Sequence, residues 1–327
     1  MKLSIIIPFF NAELYFKELL DSLMPQINNE VEVIFVNDAS TDESVKFVSK
    51  YLALQNVILI ENDVNKCVSY SRNRALEIAR GEYIWFVDVD DIIPNNAINT
   101  ILNKINSLDA DIDIILTDFN FFDDSAEIRK IELNHYPYDE YPTVNHEYDD
   151  KFWVLYEKLK ICSMNCNCLF KRKLLKENDI IFNEKICSGE TWFLKTFALW
   201  YAKTFDFIDD SIYIFRINRR DRNSLSQSIN YEERLRETLE ESIVEYNTLF
   251  DMFYSDYPKG VGRDKMLTLM AHSFWQAVIA VLGFEKISNI QELHDRNFVK
   301  PEDYDKILKY ENITWQEVLT DEKYSSV

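Results

Sequence analysis

Glycine is scarce in this chain, five among 327 residues, and none falls in a GxGxxG or GxxxxGK pattern, so backbone amides are not the expected cradle for a phosphate. Positive charge is also short. With 36 Lys and Arg against 56 Asp and Glu the formal charge is -20, which argues against nucleic acid as partner and against adsorption to anionic lipid. The four histidines stand apart from Cys162, Cys166 and Cys168, so that cluster lacks the fourth ligand a structural zinc wants. Five cysteines, an odd count without framework spacing, point to reduced thiols in a cytosolic protein. The run ending at Pro8 is too short for a signal h-region, so secretion is not expected. The most apolar stretch, 266–282, falls short of a span of about 20 residues and holds His272, Ser273 and Gln276, which predicts a buried helix and no transmembrane span. Neither an internal repeat nor a low-complexity linker is visible. Core material is plentiful: 47% of residues are hydrophobic, enough for one large globular domain or two smaller ones.

Through the first 110 residues strand and helix alternate four times over short connections, the pattern of a parallel, doubly wound α/β sheet. Residues 3–7 read as a strand stopped by Pro8, and Asn11 as the N-cap of a helix facing inward with Phe16, Leu19, Leu20 and Leu23. Strand 31–36 leads into a polar turn, 37–42, and a helix with Val45, Val48 and Leu52 inward. Strand 57–60 is followed by a loop through Asn65 and a helix carrying Arg72 and Asn73, closed by Gly81 as a left-handed C-cap. A helix with Ile98, Ile101, Leu102 and Ile105 inward follows the next strand. Beyond it, 111–122 reads as a strand with Ile112, Ile114 and Leu116 on one face. Residues 123–150 read as a surface insertion or hairpin bordering an acceptor site, and 152–160 as a helix. An element starts at Cys168, a helix opens near Glu190 and runs to about Tyr201, and 211–215 form a strand. A basic loop, 216–222, follows in an otherwise acidic protein. From about Tyr231 the chain reads as helical.

The stretch 82–91 organises the rest. Five apolar residues, Tyr83 to Val87, run into Asp88, Asp90 and Asp91, three carboxylates in four positions that no core accepts unpaired. Alternate side chains of an extended chain share a face, so Asp88 and Asp90 project together from the strand's carboxyl end, where open α/β sheets bind ligands. A divalent cation with hard-oxygen preference relieves their repulsion. The plain alternative is a solvated acidic turn. Neighbouring turns decide against it, because the 8–11 turn and Asp38 with Asp42 stand at other strand ends, with Arg72 on a loop between. Asp38 can accept hydrogen bonds from a base, Arg72 can pair with a carbonyl or phosphate, and Asp90 can hold a cation bridging a diphosphate.

Taken together, Ser4-Ile5-Ile6-Ile7-Pro8-Phe9-Phe10-Asn11, Val36-Asn37-Asp38-Ala39-Ser40-Thr41-Asp42, Ser71-Arg72-Asn73 and Gly81 through Asp91 resemble the family 2 glycosyltransferases with the GT-A fold. The likeness is close over the first 110 residues and weaker to about 226, through 167–172, Gly189-Glu190, and Tyr213-Ile214-Phe215-Arg216 with Ser224. It implies a transferase domain over 1–226, with a nucleotide half (1–110) and an acceptor half (111–226), and a helical C-terminal region over 227–327. By this resemblance Pro8 and Asp38 contact the base, Arg72 the base or phosphates, Asp88 the ribose side, and Asp90 the Mn2+ or Mg2+ ion. Phe10, Asn11, Asn65 and Val89 lie around the nucleotide sugar, and the loop bearing Arg216, Arg219, Arg220 and Arg222 closes on the diphosphate. The implied partners are a sugar nucleotide, UDP-linked foremost, and a growing glycan or lipid-linked glycan of a bacterial surface polymer. The implied location is the cytoplasm, including the inner face of the membrane. The C-terminal helices are candidates to bind the acceptor, a partner subunit or a second copy.

Two departures stand out. Members commonly carry Gly where Cys67 stands, and Glu-Asp where this chain has Glu190-Thr191, the aspartate being the general base. A threonine hydroxyl cannot take a proton usefully at neutral pH, so Glu190 is the candidate base, with Asp209 or Asp210 behind it. A helix-capping or ion-paired Glu190 is the bland reading, and a sugar-nucleotide-binding protein that no longer transfers is the rival function. A nucleotidyltransferase would carry a Gly- and basic-rich triphosphate loop near the N-terminus, and 8–11 is nothing of the kind.

Overall fold

The computed structural model describes residues 1–123, 129–130, 167–184 and 190–217. All belong to the first of two compact units into which the chain divides, 1–146 with 154–227. The expected helix at 152–160, the basic loop beyond Ile217 and the helical C-terminal region lie outside the described residues.

The apolar runs become strands β1 (Leu3–Phe9), β2 (Val31–Asn37), β3 (Val57–Glu61) and β4 (Tyr83–Phe86), then β5 (Ile114–Asp123), β6 (Arg129–Lys130), β7 (Cys168–Lys171) and β8 (Phe205–Ile217). They form one mixed sheet in the order β3-β2-β1-β4-β7-β5-β6, with β8 paired to β5. Strands β1 to β4 are mutually parallel, and β8 is parallel to β5. Only β6 and β7 run the other way. The helices are α1 (Glu13–Leu23), α2 (Ser44–Ser49), α3 (Cys67–Ile78), α4 (Ala97–Ser107), α5 (Arg172–Glu177) and α6 (Glu190–Tyr201). Helix α1 buries Phe16, Leu19, Leu20 and Leu23, and α4 buries Ile98, Ile101, Leu102 and Ile105, as the periodicity predicts. No described helix is long and apolar enough to cross a membrane.

Local expectations shift for identifiable reasons. Strand β1 runs through Pro8 because its pairing with β4 ends at Ile6, and Pro8 falls past that ladder. Helix α2 is only six residues long, so Leu52 is 41% exposed instead of inward. Strand β5 buries Ile115 as fully as Ile114, since β5 is covered on both faces. Gly81 is not a left-handed cap. It is glycine because a Cβ there would stand 2.4 Å from the Ser4 backbone nitrogen, where β1 and the start of β4 meet. Cys67 is disulfide-bonded, and Cys168 is a free, buried thiol. The expectation of uniformly reduced thiols therefore fails at Cys67, whose partner lies outside the described residues.

At the amino ends of the parallel strands, fully buried Glu32 accepts from Ser4 Oγ (2.6 Å), Arg80 N (2.6 Å) and Arg80 Nε (2.8 Å). Burial pushes this carboxyl up, but the hydrogen bonds from Ser4 and Arg80 outweigh it and hold it below its ordinary 4.5. The folded value is the lower one, so the stabilisation is full above 4.5 and is lost as pH falls through the folded value. Glu32→Gln is expected to cost about 1–3 kcal/mol at neutral pH. Urea midpoints taken at neutral pH and well below 4.5 should show this gap narrowing in acid.

Candidate active site

The turns after β1 and β2 interlock at the carboxyl edge of the sheet. Asn11 and Ala39 adopt left-handed conformations (φ 48° and 62°) that turn both loops sharply. Asn11 is not the α1 cap: its Oδ1 accepts from Thr41 N (2.8 Å), and its own N donates to Ser40 Oγ (3.0 Å). Ser44 Oγ and Asp42 Oδ2 instead take the first α1 amides, Ala12 N at 2.8 Å and Glu13 N at 3.1 Å. One loop thus caps the helix of the other, so Asp42 is used within the turns themselves.

Asp38 is 4% exposed, and both of its side-chain hydrogen bonds fall on Oδ1, from Asn62 Nδ2 (2.7 Å) and Lys66 N (2.9 Å). Asn62 also donates to Ser71 Oγ (2.9 Å) and accepts from Arg74 (2.6 Å), so a chain of side chains fixes Asp38. Sequence reasoning missed Asn62. Its signal was a polar residue directly after a strand, at the same edge as the acids. Of the other residues expected at the nucleotide, Pro8 is buried in β1, Phe10 is 47% exposed, Asn65 is exposed, and Val89 is half-buried against the core. Cys67 opens α3 at φ 71°, a left-handed conformation that the Gly expected from the resemblance would adopt without strain.

The acidic turn after β4 is held from β8. Tyr213 Oη accepts from Asp88 N (3.1 Å) and donates to Asp91 Oδ2 (2.5 Å), while Asp91 Oδ1 accepts from Arg216 N (2.8 Å). Burial, then the negative charges of Asp90 and Asp88, push the Asp91 carboxyl well above its ordinary value, against those two hydrogen bonds. Asp91 therefore serves as internal scaffold, while Asp88 is half-buried at the turn and Asp90 is 4% exposed with its Oδ2 buried. Arg216 is placed differently from expectation. It lies inside β8, not in a loop, is 2% exposed, and donates to Asp90 O (2.6 Å) and pairs with Glu18. Its charge is used to hold the back of the turn, so it is not available to a diphosphate. Arg219, Arg220 and Arg222 lie outside the described residues.

Arg72, on α3, is also 2% exposed. Its Nη2 pairs with Asp88 Oδ1 (2.7 Å) and its Nη1 with Glu190 Oε1 (2.5 Å), with the Phe182 ring centroid 5.2 Å from the guanidinium carbon. Burial works against this charge, but Asp88 and then Glu190 outweigh it and hold the guanidinium above its ordinary value. Glu190 lies in the first turn of α6, which favours a carboxylate. The structure thus brings Asp88, Arg72 and Glu190 together. It leaves Asp209 and Asp210 exposed on β8.

A family model described as glycosyl transferase family 2 matches residues 4–178. The chain belongs to this family. Its sequence is 32% identical over 223 residues to a poly(ribitol-phosphate) beta-glucosyltransferase of Bacillus spizizenii, covering 67% of this chain and 33% of that protein. It is 27% identical over 236 residues to the poly(ribitol-phosphate) beta-N-acetylglucosaminyltransferase TarS of Staphylococcus aureus, covering 71% and 38%. The chain thus spans little more than a third of either relative. The crystal structure of S. aureus TarS 1-349 in complex with UDP-GlcNAc superposes with a TM-score of 0.62 at 21% identity, over 95% of this chain and 79% of that one. This likeness identifies the fold as GT-A.

The Tyr213 hydroxyl is the single atom joining the Asp88 amide to the Asp91 carboxylate. Tyr213→Phe is expected to lose about 1–3 kcal/mol of stability, since it strands a buried acceptor and an amide. The same variant should bind UDP in the presence of Mn2+ several-fold more weakly. Urea denaturation and calorimetric titration check the two effects separately.

Proposed function

We propose that the chain transfers a sugar from a nucleoside diphosphate, UDP foremost, to a hydroxyl of a growing surface glycan. The observation that carries this reading is the buried Arg72 guanidinium shared by Asp88, at the end of β4, and Glu190, at the start of α6. In this reading one cation joins the carboxylate on the donor side to the one on the acceptor side. The activities in the relatives' names support glycosyl transfer, and the UDP-GlcNAc complex of TarS supports a UDP-linked donor. Poly(ribitol-phosphate) in those names favours an acceptor of the teichoic-acid kind.

In this reading Asp38 presents Oδ2 to an N–H group of the base, and Asp88 presents its remaining oxygen to the ribose. Among the described residues no group of three or more His, Cys, Asp or Glu side chains could hold a metal ion. Two adjacent acids suit an ion that completes its shell with substrate phosphate and water, as Mn2+ or Mg2+ does, so Asp90, with Asp88 beside it, fits one. Bound there, such an ion neutralises charge on the departing nucleoside diphosphate. Glu190 accepts the proton of the acceptor hydroxyl. That oxygen then attacks the anomeric carbon from the face opposite the phosphate, which inverts the configuration. Arg219, Arg220 and Arg222 are the proposed diphosphate loop, without Arg216. We place the transferase in 1–226 on the cytoplasmic side of the membrane, and assign acceptor, partner or self-association contacts to 227–327.

A second reading, sugar-nucleotide binding without transfer, is favoured by Thr191 and by the grip of Arg72 on Glu190. A panel of UDP-, GDP- and TDP-sugars, assayed with and without Mn2+ for nucleotide release and thermal stabilisation, tests the proposal. Asp90→Ala should abolish Mn2+-dependent release with the fold retained. Glu190→Gln should lower turnover on the order of 100-fold while leaving UDP binding intact. Donor stabilisation without any turnover in the wild type would establish the binding protein instead.

A further inference from the structure

Arg72 has a different task from the one a nucleotide-gripping arginine performs. Both Nη atoms are engaged by carboxylates, and Nε is buried with no hydrogen-bond partner. To reach a base or a phosphate the side chain would have to abandon both ion pairs. That would leave Glu190, 8% exposed, and Asp88 beside it without their shared cation. The contacts of Glu190 are equally one-sided. Arg72 Nη1 at 2.5 Å and Thr191 Oγ1 at 3.3 Å both meet Oε1, and among the described residues nothing donates to Oε2. A carboxylate met at one oxygen by both a guanidinium and a hydroxyl is restrained on that side and keeps its second oxygen open to a further donor.

We infer that Arg72 is a positioning residue: it holds Glu190 by Oε1 so that Oε2 faces the acceptor hydroxyl, and Asp88 is the anchor that stops the guanidinium from turning. The Thr191 hydroxyl assists from the same side. The inference rests on the proposed role of Glu190. In the transfer step the acceptor proton passes to Glu190 Oε2, and the freed electron pair of the acceptor oxygen forms the bond to the anomeric carbon. The bond from that carbon to the phosphate oxygen breaks, its pair leaving with the nucleoside diphosphate. Arg72 keeps its protons throughout.

Arg72→Lys keeps a positive charge beside Asp88 but loses the two-pronged bridge. With the UDP-sugar turned over fastest in the donor panel, this variant should lose kcat at saturating donor on the order of 10- to 100-fold. Its Kd for UDP should stay within about threefold, and it should add no further loss to Glu190→Gln, because both act through one carboxylate. Thr191→Val should lose kcat several-fold, and Thr191→Ser should restore it. A rise in UDP Kd of about tenfold or more with kcat intact would overturn the inference in favour of a nucleotide ligand. Losses that multiply between Arg72→Lys and Glu190→Gln overturn it as well. If Arg72→Lys does not fold, as circular dichroism will show, the Thr191 pair decides, and an unchanged kcat in Thr191→Val rejects the inference. A fully active Glu190→Gln removes the base itself, and is a failure of the proposed function that the other outcomes do not mimic.

Discussion

Like charge has to be reconciled with burial at the end of β4, and much of the described structure follows from how that is done. Asp88, Asp90 and Asp91 fall within four consecutive positions, and two of them are almost fully enclosed. Two elements reach them: Arg72 of α3 pairs with Asp88, and β8 holds Asp91 through the Tyr213 hydroxyl and the Arg216 amide and the Asp90 carbonyl through the Arg216 side chain. Strand β8 must therefore run alongside β5 and come close enough to bridge Ile92 through Ile214. The acids are not a solvated turn. They are held in place by donors on elements far away in the sequence.

The two ends of the parallel strands treat buried acids in opposite ways. At the amino ends Glu32 has partners on both oxygens, from Ser4 and Arg80, and belongs to the architecture. At the carboxyl ends the side-chain bonds to Asp38 and Glu190 fall on one oxygen each. Among the described residues, Glu32 is satisfied on both oxygens, whereas Asp38 and Glu190 each keep one carboxylate oxygen open to a further donor.

What the sequence made legible was whatever depends on short range. The apolar runs of β1, β2 and β4, the inner faces of α1 and α4, and the start of α6 at Glu190 follow from periodicity and burial alone. What it hid depends on partners far along the chain. Asn11 looked like a cap because it precedes α1, yet Asp42 and Ser44 from the next loop take that role. Arg216 looked like a loop cation because it opens a basic run, yet the sheet continues through it and its charge turns inward toward Glu18. Gly81 looked like a helix terminator, whereas its need is steric and comes from Ser4, 77 positions away. Arg72 was marked by its motif, but that its two prongs grip carboxylates 16 and 118 positions away could be read only from the fold.

The bond between Tyr213 and Asp91 spans 122 positions, and this bears on how the protein can be dissected. The segment recognised by the family model ends at 178, before Glu190, Tyr213 and Arg216. A fragment cut there would keep most of the parallel strands yet release the acidic turn from its clamp, so that like charges would spread it open. During synthesis the same logic applies in time: the first four strands can leave the ribosome and collapse early, while the acidic turn is clamped only when β8 arrives.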